Sequence, residues 1–196
     1  MTNKTKHPKV FISYSWTSRE YEKRVLDLAE RLVSDGVDVI FDKWSLKEGQ
    51  NKYAFMEKMV TDKSVEKVLI LCDRGYMEKA DKKKGGVGVE SQIISPEIYN
   101  KVEQDKFIPV VMERDKNGQP FLPTFLKGRI YIDLSSRENF FKEYEKLLRN
   151  IYNKPLYEKP QLGNPPIFIT QETHYTLKTR HKYESFKEAI TSGKSY

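Results

Sequence analysis

Five short apolar runs, four of them followed by a stretch with helical spacing, set the limits on how this chain can fold. The runs are Val10-Phe11-Ile12 and residues 37–41, 65–72, 107–112 and 129–133. Val10-Phe11-Ile12 and Val68-Leu69-Ile70-Leu71 are continuous rather than alternating, the pattern of strands buried on both faces. Between the runs, Val25, Leu28, Ala29, Leu32 and Val33 fall on one helical face. Tyr53, Phe55, Met56, Met59 and Val60 mark a short second helix. Phe140, Phe141, Tyr144, Leu147, Leu148 and Ile151 form the stripe of the last one. Val89, Ile93, Ile94 and Ile98 share the spacing, with a kink or restart at Pro96. Alternating strand and helix with right-handed crossovers makes a parallel sheet with helices on both faces. Five strands favour the flavodoxin-like order 2-1-3-4-5, with the switch point between the first and third strands.

Local signals place the boundaries. Thr17-Ser18-Arg19-Glu20 and Ser135-Ser136-Arg137-Glu138 both read as capping boxes, a hydroxyl followed three residues later by Glu. Gly36 is placed to end the first helix through a left-handed residue. Residues 42–50 read as a long polar loop and residues 73–88 as a charged, glycine-containing one. Pro109 belongs at the start of its strand or on an edge, and Asn117-Gly118 marks a turn. The α/β domain is expected over residues 8–152. Residues 153–196 read as a Pro-rich linker and tail, with Pro155, Pro160, Pro165 and Pro166 close together. In that tail Ile167-Phe168-Ile169 suits a short strand or anchor, and residues 183–190 a short helix.

Composition excludes several classes. Of the 196 residues 38% are hydrophobic and 32% charged, and no apolar run approaches the ~18 residues that span a bilayer. No secretory signal opens the chain. The single cysteine, Cys72, lies in an apolar run, so it reads as a buried thiol and no disulfide framework exists. A cytoplasmic location is the expectation. The net charge of +7 suits anionic small molecules better than nucleic acid, because the basic cluster Lys79, Lys82, Lys83 and Lys84 is interleaved with Glu78 and Asp81 and no nucleic-acid module accompanies it. The chain has no GxGxxG, no P-loop and no GxSxG elbow. His7, His174 and His181 lack partners at metal spacing, so no metal is expected.

What remains comes from three strand ends. Ser13, Tyr14, Ser15 and Trp16 follow the first strand, Asp42 and Trp44 follow the second, and Glu90 stands near the start of the helix after the third. In an open α/β sheet ligands bind outside the carboxyl ends of the strands. The same residues also suit bland roles: a capped turn with a packed indole, a loop cap at Asp42, and a carboxylate offsetting a helix dipole at Glu90.

Residues 10–16 resemble box 1 of the TIR and SEFIR domains. Residues 42–50, with Asp42 and Gly49 in place, are similar to their BB loop, and residues 84–90 resemble the approach to the helix that carries the family's glutamate. The resemblance covers residues 8–152 and looks closest to bacterial SEFIR-like TIR proteins. It implies one of two activities. Many bacterial and plant TIR domains cleave NAD+ at the nicotinamide–ribose bond, some forming cyclic ADP-ribose messengers in defence against phage. Other members are scaffolds that assemble with their own kind. For the first activity the resemblance implies Glu90 as the catalytic carboxylate, Ser13, Tyr14, Ser15, Trp16, Asp42 and Trp44 around the substrate, and no cofactor beyond NAD+ itself. Gly86 stands where catalytic members often carry Trp. For the second it implies self-association through Ser45, Leu46, Lys47, Glu48, Gly49 and Gln50. A sensor or effector partner fits either.

Overall fold

The computed structural model describes residues 7–82, 94, 99–100, 103–170 and 178–192. Gly86, Val89, Glu90, Ile93 and Ile98, which carry part of the expected site and helix, lie outside the described residues. The chain forms two compact units, residues 1–156 and 157–196.

The first unit holds a five-stranded parallel sheet in the order β2-β1-β3-β4-β5, as the alternation of runs implied. The strands are β1 (Lys9–Ser13), β2 (Asp38–Ile40), β3 (Lys67–Cys72), β4 (Phe107–Val111) and β5 (Ile132–Asp133). Its helices are α1 (Arg19–Ser34), α2 (Asp42–Ser45), α3 (Lys52–Thr61), α4 (Arg74–Lys82) and α5 (Phe140–Ile151). Because strand side chains alternate between faces, each apolar run supplies two cores. Val10, Ile12, Leu69, Leu71, Ile108 and Val110 pack under α1 and α5. Phe11, Val68, Ile70, Cys72, Phe107 and Val111 pack under α3 and α4.

Pro109 sits in the middle of β4, a strand with neighbours on both sides, contrary to the expectation of a strand start or edge. Met112 N donates to Cys72 O and Leu134 N to Val111 O, so successive residues face β3 and β5 in turn. That alternation points the Pro109 nitrogen towards β5, which pairs only with Val110 and Val111. The missing N–H therefore breaks no ladder bond, and β4 is locally an edge at the residue where proline stands.

Other expectations need correction. Residues 73–88 do not begin as a loop. Asp73 caps α4, its Oδ1 accepting from Tyr76 N at 2.8 Å, and Lys79 and Lys82 lie on that helix. Residues 42–50 begin with one helical turn, α2. The N-cap of α1 is Ser18, which accepts from Tyr21 N at 3.1 Å. Thr17 is drawn instead to Asp73. The second capping box does not form: Ser135 Oγ donates to Asp133, and α5 starts after Asn139 with no side-chain cap. The fifth strand is two residues long. Val33 and Phe141 are exposed, at the margins of stripes whose inner positions suffice to cover the sheet.

In the second unit, residues 167–169 form no strand but part of a helical turn, α6 (Ile167–Thr170). The expected short helix is α7 (Lys178–Thr191). No helix of the described residues is long and apolar enough to cross a membrane.

Candidate functional site

The carboxyl end of β1 turns its hydroxyls inward. Ser13 is fully buried, its Oγ 3.0 Å from the Tyr76 hydroxyl. Tyr14 is fully buried on the opposite face, packed at 5.5 Å against Phe41, and donates to Asp42 Oδ1 at 3.0 Å. Burial, reinforced by the Asp42 charge, pushes the Tyr14 phenol far above its ordinary range, so it stays a neutral donor. Ser15, also buried, donates to Asp73 Oδ1 at 2.5 Å, and Thr17 donates to Asp73 Oδ2 at 3.0 Å. The Asp73 carboxylate thus joins the loop after β1 to the loop after β3. These are charge-assisted bonds, roughly twice as strong as neutral ones.

Trp16 and Trp44 point outward. Trp16 is 43% exposed, and the Lys52 ammonium lies 3.5 Å from its ring centroid. Lys79 Nζ donates to the Trp16 carbonyl at 3.5 Å. Trp44 is 48% exposed and meets Phe41 edge-on at 5.2 Å. It lines a cavity of about 730 Å3 with Glu30, Val33, Val37 and Val39, which includes none of Ser13, Tyr14, Ser15 or Trp16. The two indoles therefore occupy separate surfaces, and the strand ends do not bring all the expected residues into one hollow. Ser13, Ser15 and Thr17 converge on β3 and its helix, while Tyr14 and Asp42 form a second pair beside β2.

A crevice of about 530 Å3 does open at the switch point, between the loops after β1, β3 and β4. Thr17, Asp73, Arg74, Gly75 and Glu113 line it. Arg74 Nε donates to Glu78 at 2.8 Å and its backbone N to Glu113 at 3.2 Å, so Arg74 is held by two carboxylates of the protein. Two of its residues, Asp73 and Gly75, escaped the sequence reading. Asp73 follows its apolar run as directly as Asp42 follows the second, and that shared frame was the available signal. Gly75 is set by contact: a Cβ there would lie 2.0 Å from Thr17 Cγ2.

The Cys72 thiol is fully buried and pushed up by that burial, so it is no nucleophile at neutral pH. Among the described residues no group of His, Cys, Asp or Glu is arranged to hold a metal.

The loop after α2 is exposed from Lys47 to Gln50, as is Ser45, with Leu46 half-buried. It is braced locally: Lys47 N donates to Gln50 Oε1 at 3.0 Å, Gln50 N donates to Lys47 O at 3.2 Å, and Gly49 takes φ +86°.

A family model described as the SEFIR domain matches residues 8–150. A crystal structure of a prokaryotic SEFIR domain is 43% identical, with a TM-score of 0.68 over 80% of this chain and 99% of that one. The TIR domain of the Toll-related receptor TRR-2 from Hydra magnipapillata is 15% identical, with a TM-score of 0.49 over 74% of this chain and 98% of that one. Among curated proteins no relative matches.

Proposed function

The chain belongs to the SEFIR domain family, and from that premise we propose that it is a signalling domain that works by packing against further copies of its own kind. The observation that carries this reading is the braced, exposed loop of Ser45, Leu46, Lys47, Glu48, Gly49 and Gln50, with the half-exposed Trp44 at its base. Interface energy concentrates in a few aromatic anchors, and a loop already held in one shape loses little entropy on docking. Such a domain operates in the cytoplasm of a bacterial cell, coupled to a sensor or effector partner.

Light scattering over a concentration series tests it. Wild type should associate, and Trp44→Ala and Gly49→Ala should shift the midpoint to higher concentration while keeping the wild-type far-UV spectrum. Association that is unchanged in both variants removes the loop from the interface.

A second reading is NAD+ cleavage in antiphage defence or signalling, switched on by that assembly. The observation favouring it is the Trp16 ring beside the Lys52 ammonium, just past the carboxyl end of β1. There an indole can stack on a base or nicotinamide ring and a cation can meet the pyrophosphate. Losing nicotinamide leaves positive charge on the ribose, as in glycoside cleavage, and a carboxylate placed beside it lowers that barrier. Glu90 is the proposed carboxylate. Ser13, Tyr14, Ser15 and Asp42 support the rim from beneath, and no cofactor beyond the NAD+ substrate is needed. Incubating concentrated protein with NAD+ should release nicotinamide, and Glu90→Ala should abolish the release. Equal release by the variant, or none by wild type, rules the reading out.

A further inference from the structure

Glu20, Arg24, Asp27 and Arg31 follow one another along a single strip of α1, at spacings of four, three and four residues. That strip is one wall of a groove of about 580 Å3. The other wall is the chain leaving β5, with Ser136, Arg137 and the first residue of α5, Phe140. We propose that this groove binds a phosphate group, held by the guanidiniums of Arg24, Arg31 and Arg137 and by the Ser136 hydroxyl.

Arg74, Arg114 and Arg149 each sit on a carboxylate. Among the described residues Arg24, Arg31 and Arg137 form no such pair, although Glu20 and Asp27 line the same groove. Arg24 spends one donor, Nη2, on Met112 O at 3.2 Å, and a guanidinium has five. Arg31 lies against three rings, its Cζ 5.3 Å from the Phe140 centroid and 5.5 Å from those of Phe141 and Tyr144. Such a platform fixes the plane of the guanidinium while its N–H edge stays available. Neither Arg137 nor Ser136 makes a side-chain hydrogen bond among the described residues.

Independently, α5 begins at the groove with no side chain capping its first turn, so the positive end of a twelve-residue helix adds to the field there. Several guanidinium forks lining one groove suit a tetrahedral dianion, which can accept from more than one guanidinium at once. The site does not rest on NAD+ cleavage, since no residue proposed for that reaction lines it. The phosphate can come from the free ion or from a nucleotide.

Calorimetric titration of the full chain at low salt with inorganic phosphate, and separately with adenosine diphosphate, tests the proposal. Saturable binding is expected, weakened at least about tenfold by Arg137→Gln and by Arg24→Gln and unchanged by Arg149→Gln. Adenosine diphosphate binding more tightly, with the same arginine dependence, identifies a nucleotide as the source; equal affinities identify the free ion. No saturable heat at millimolar concentration of either probe, or equal weakening by all three variants, overturns the site.

Discussion

Replacing Gly75 with alanine sets two effects against each other. Gly75 is the second residue of α4, and glycine in a helix interior costs ~0.5–1 kcal/mol relative to alanine. Propensity alone therefore predicts a more stable protein. The structure predicts the reverse. The added Cβ would stand 2.0 Å from Thr17 Cγ2, whereas carbon atoms rest at ~3.5–4.0 Å. Either the first turn of α4 shifts, at the ~1–3 kcal/mol of overpacking, or Thr17 rotates and gives up its bond to Asp73. That bond has a charged acceptor but is only partly buried, so its loss costs about 1.5 kcal/mol, the low end for such bonds. The cheaper of the two routes sets the cost, so after subtracting the propensity gain Gly75→Ala should destabilise by roughly 0.5–1 kcal/mol. The urea midpoint should fall, and the melting temperature should drop by roughly 1–4 °C for a chain of this size. Thr17→Ser removes Cγ2 and keeps the hydroxyl, so in that background Gly75→Ala should be neutral or stabilising. The coupling read from the double-mutant cycle should be about 1.5 kcal/mol, the contact cost before the propensity gain is subtracted. A midpoint that rises in the single variant, or a serine background that rescues nothing, refutes the close-approach argument.

Two further perturbations probe the two ends of the sheet, Lys106 before β4 and Asp133 at the close of β5. Lys106 is nearly buried, and its Nζ donates to Val60 O at 2.6 Å and Asp62 O at 2.7 Å, closing the end of α3. Lys106→Ala orphans those carbonyls and should cost ~1–3 kcal/mol in urea unfolding; a change under about 0.5 kcal/mol, the range of ordinary surface substitutions, argues against the closure. Burial raises the Asp133 carboxyl, but hydrogen bonds from Ser135 and from Arg114 outweigh it and hold the pKa below the usual 3.8. A lowered carboxyl stabilises the folded state above its unfolded pKa, and that stability is lost as the pH falls through the folded value. Wild type should thus lose its advantage over Asp133→Asn in urea melts between about pH 5 and pH 2, and a constant gap across that range contradicts the assignment.

The fold was legible because its signals are local and repeated. Continuous apolar runs and helical stripes point to parallel strands and crossovers, and the order 2-1-3-4-5 is the one that five such strands favour. α4 was not legible because its inward face is only Tyr76 and Ala80, set among charged residues that dilute the stripe. The capping of α1 was misread by one residue because two hydroxyls compete, and a partner far along the chain decides between them: Asp73 takes Thr17 and leaves Ser18 for the helix. The roles of Asp73 and Gly75 have the same origin. They are defined by contact with the loop after β1, and no window of sequence around residue 74 contains that loop.

The Ser-Tyr-Ser-Trp stretch shows how one polar strand end divides its work. Extended backbone sends alternate side chains to opposite faces, so Ser13 reaches Tyr76 under one layer of helices and Tyr14 reaches Asp42 under the other. Ser15 then returns to the first side and closes on Asp73. Three consecutive residues tie β1 to both neighbouring loops, and each tie is buried, where a hydrogen bond left half-made is most costly. Residues so committed cannot also reach outward for a ligand without breaking the frame. On the readings proposed above, recognition at this rim falls to groups that the frame presents outward, Trp16 with Lys52 on one side and Trp44 with its braced loop on the other. Binding and stability should separate accordingly: truncating Trp16 or Trp44 changes what the domain binds while leaving its core intact, whereas removing the Asp73 carboxylate loosens both loops at once.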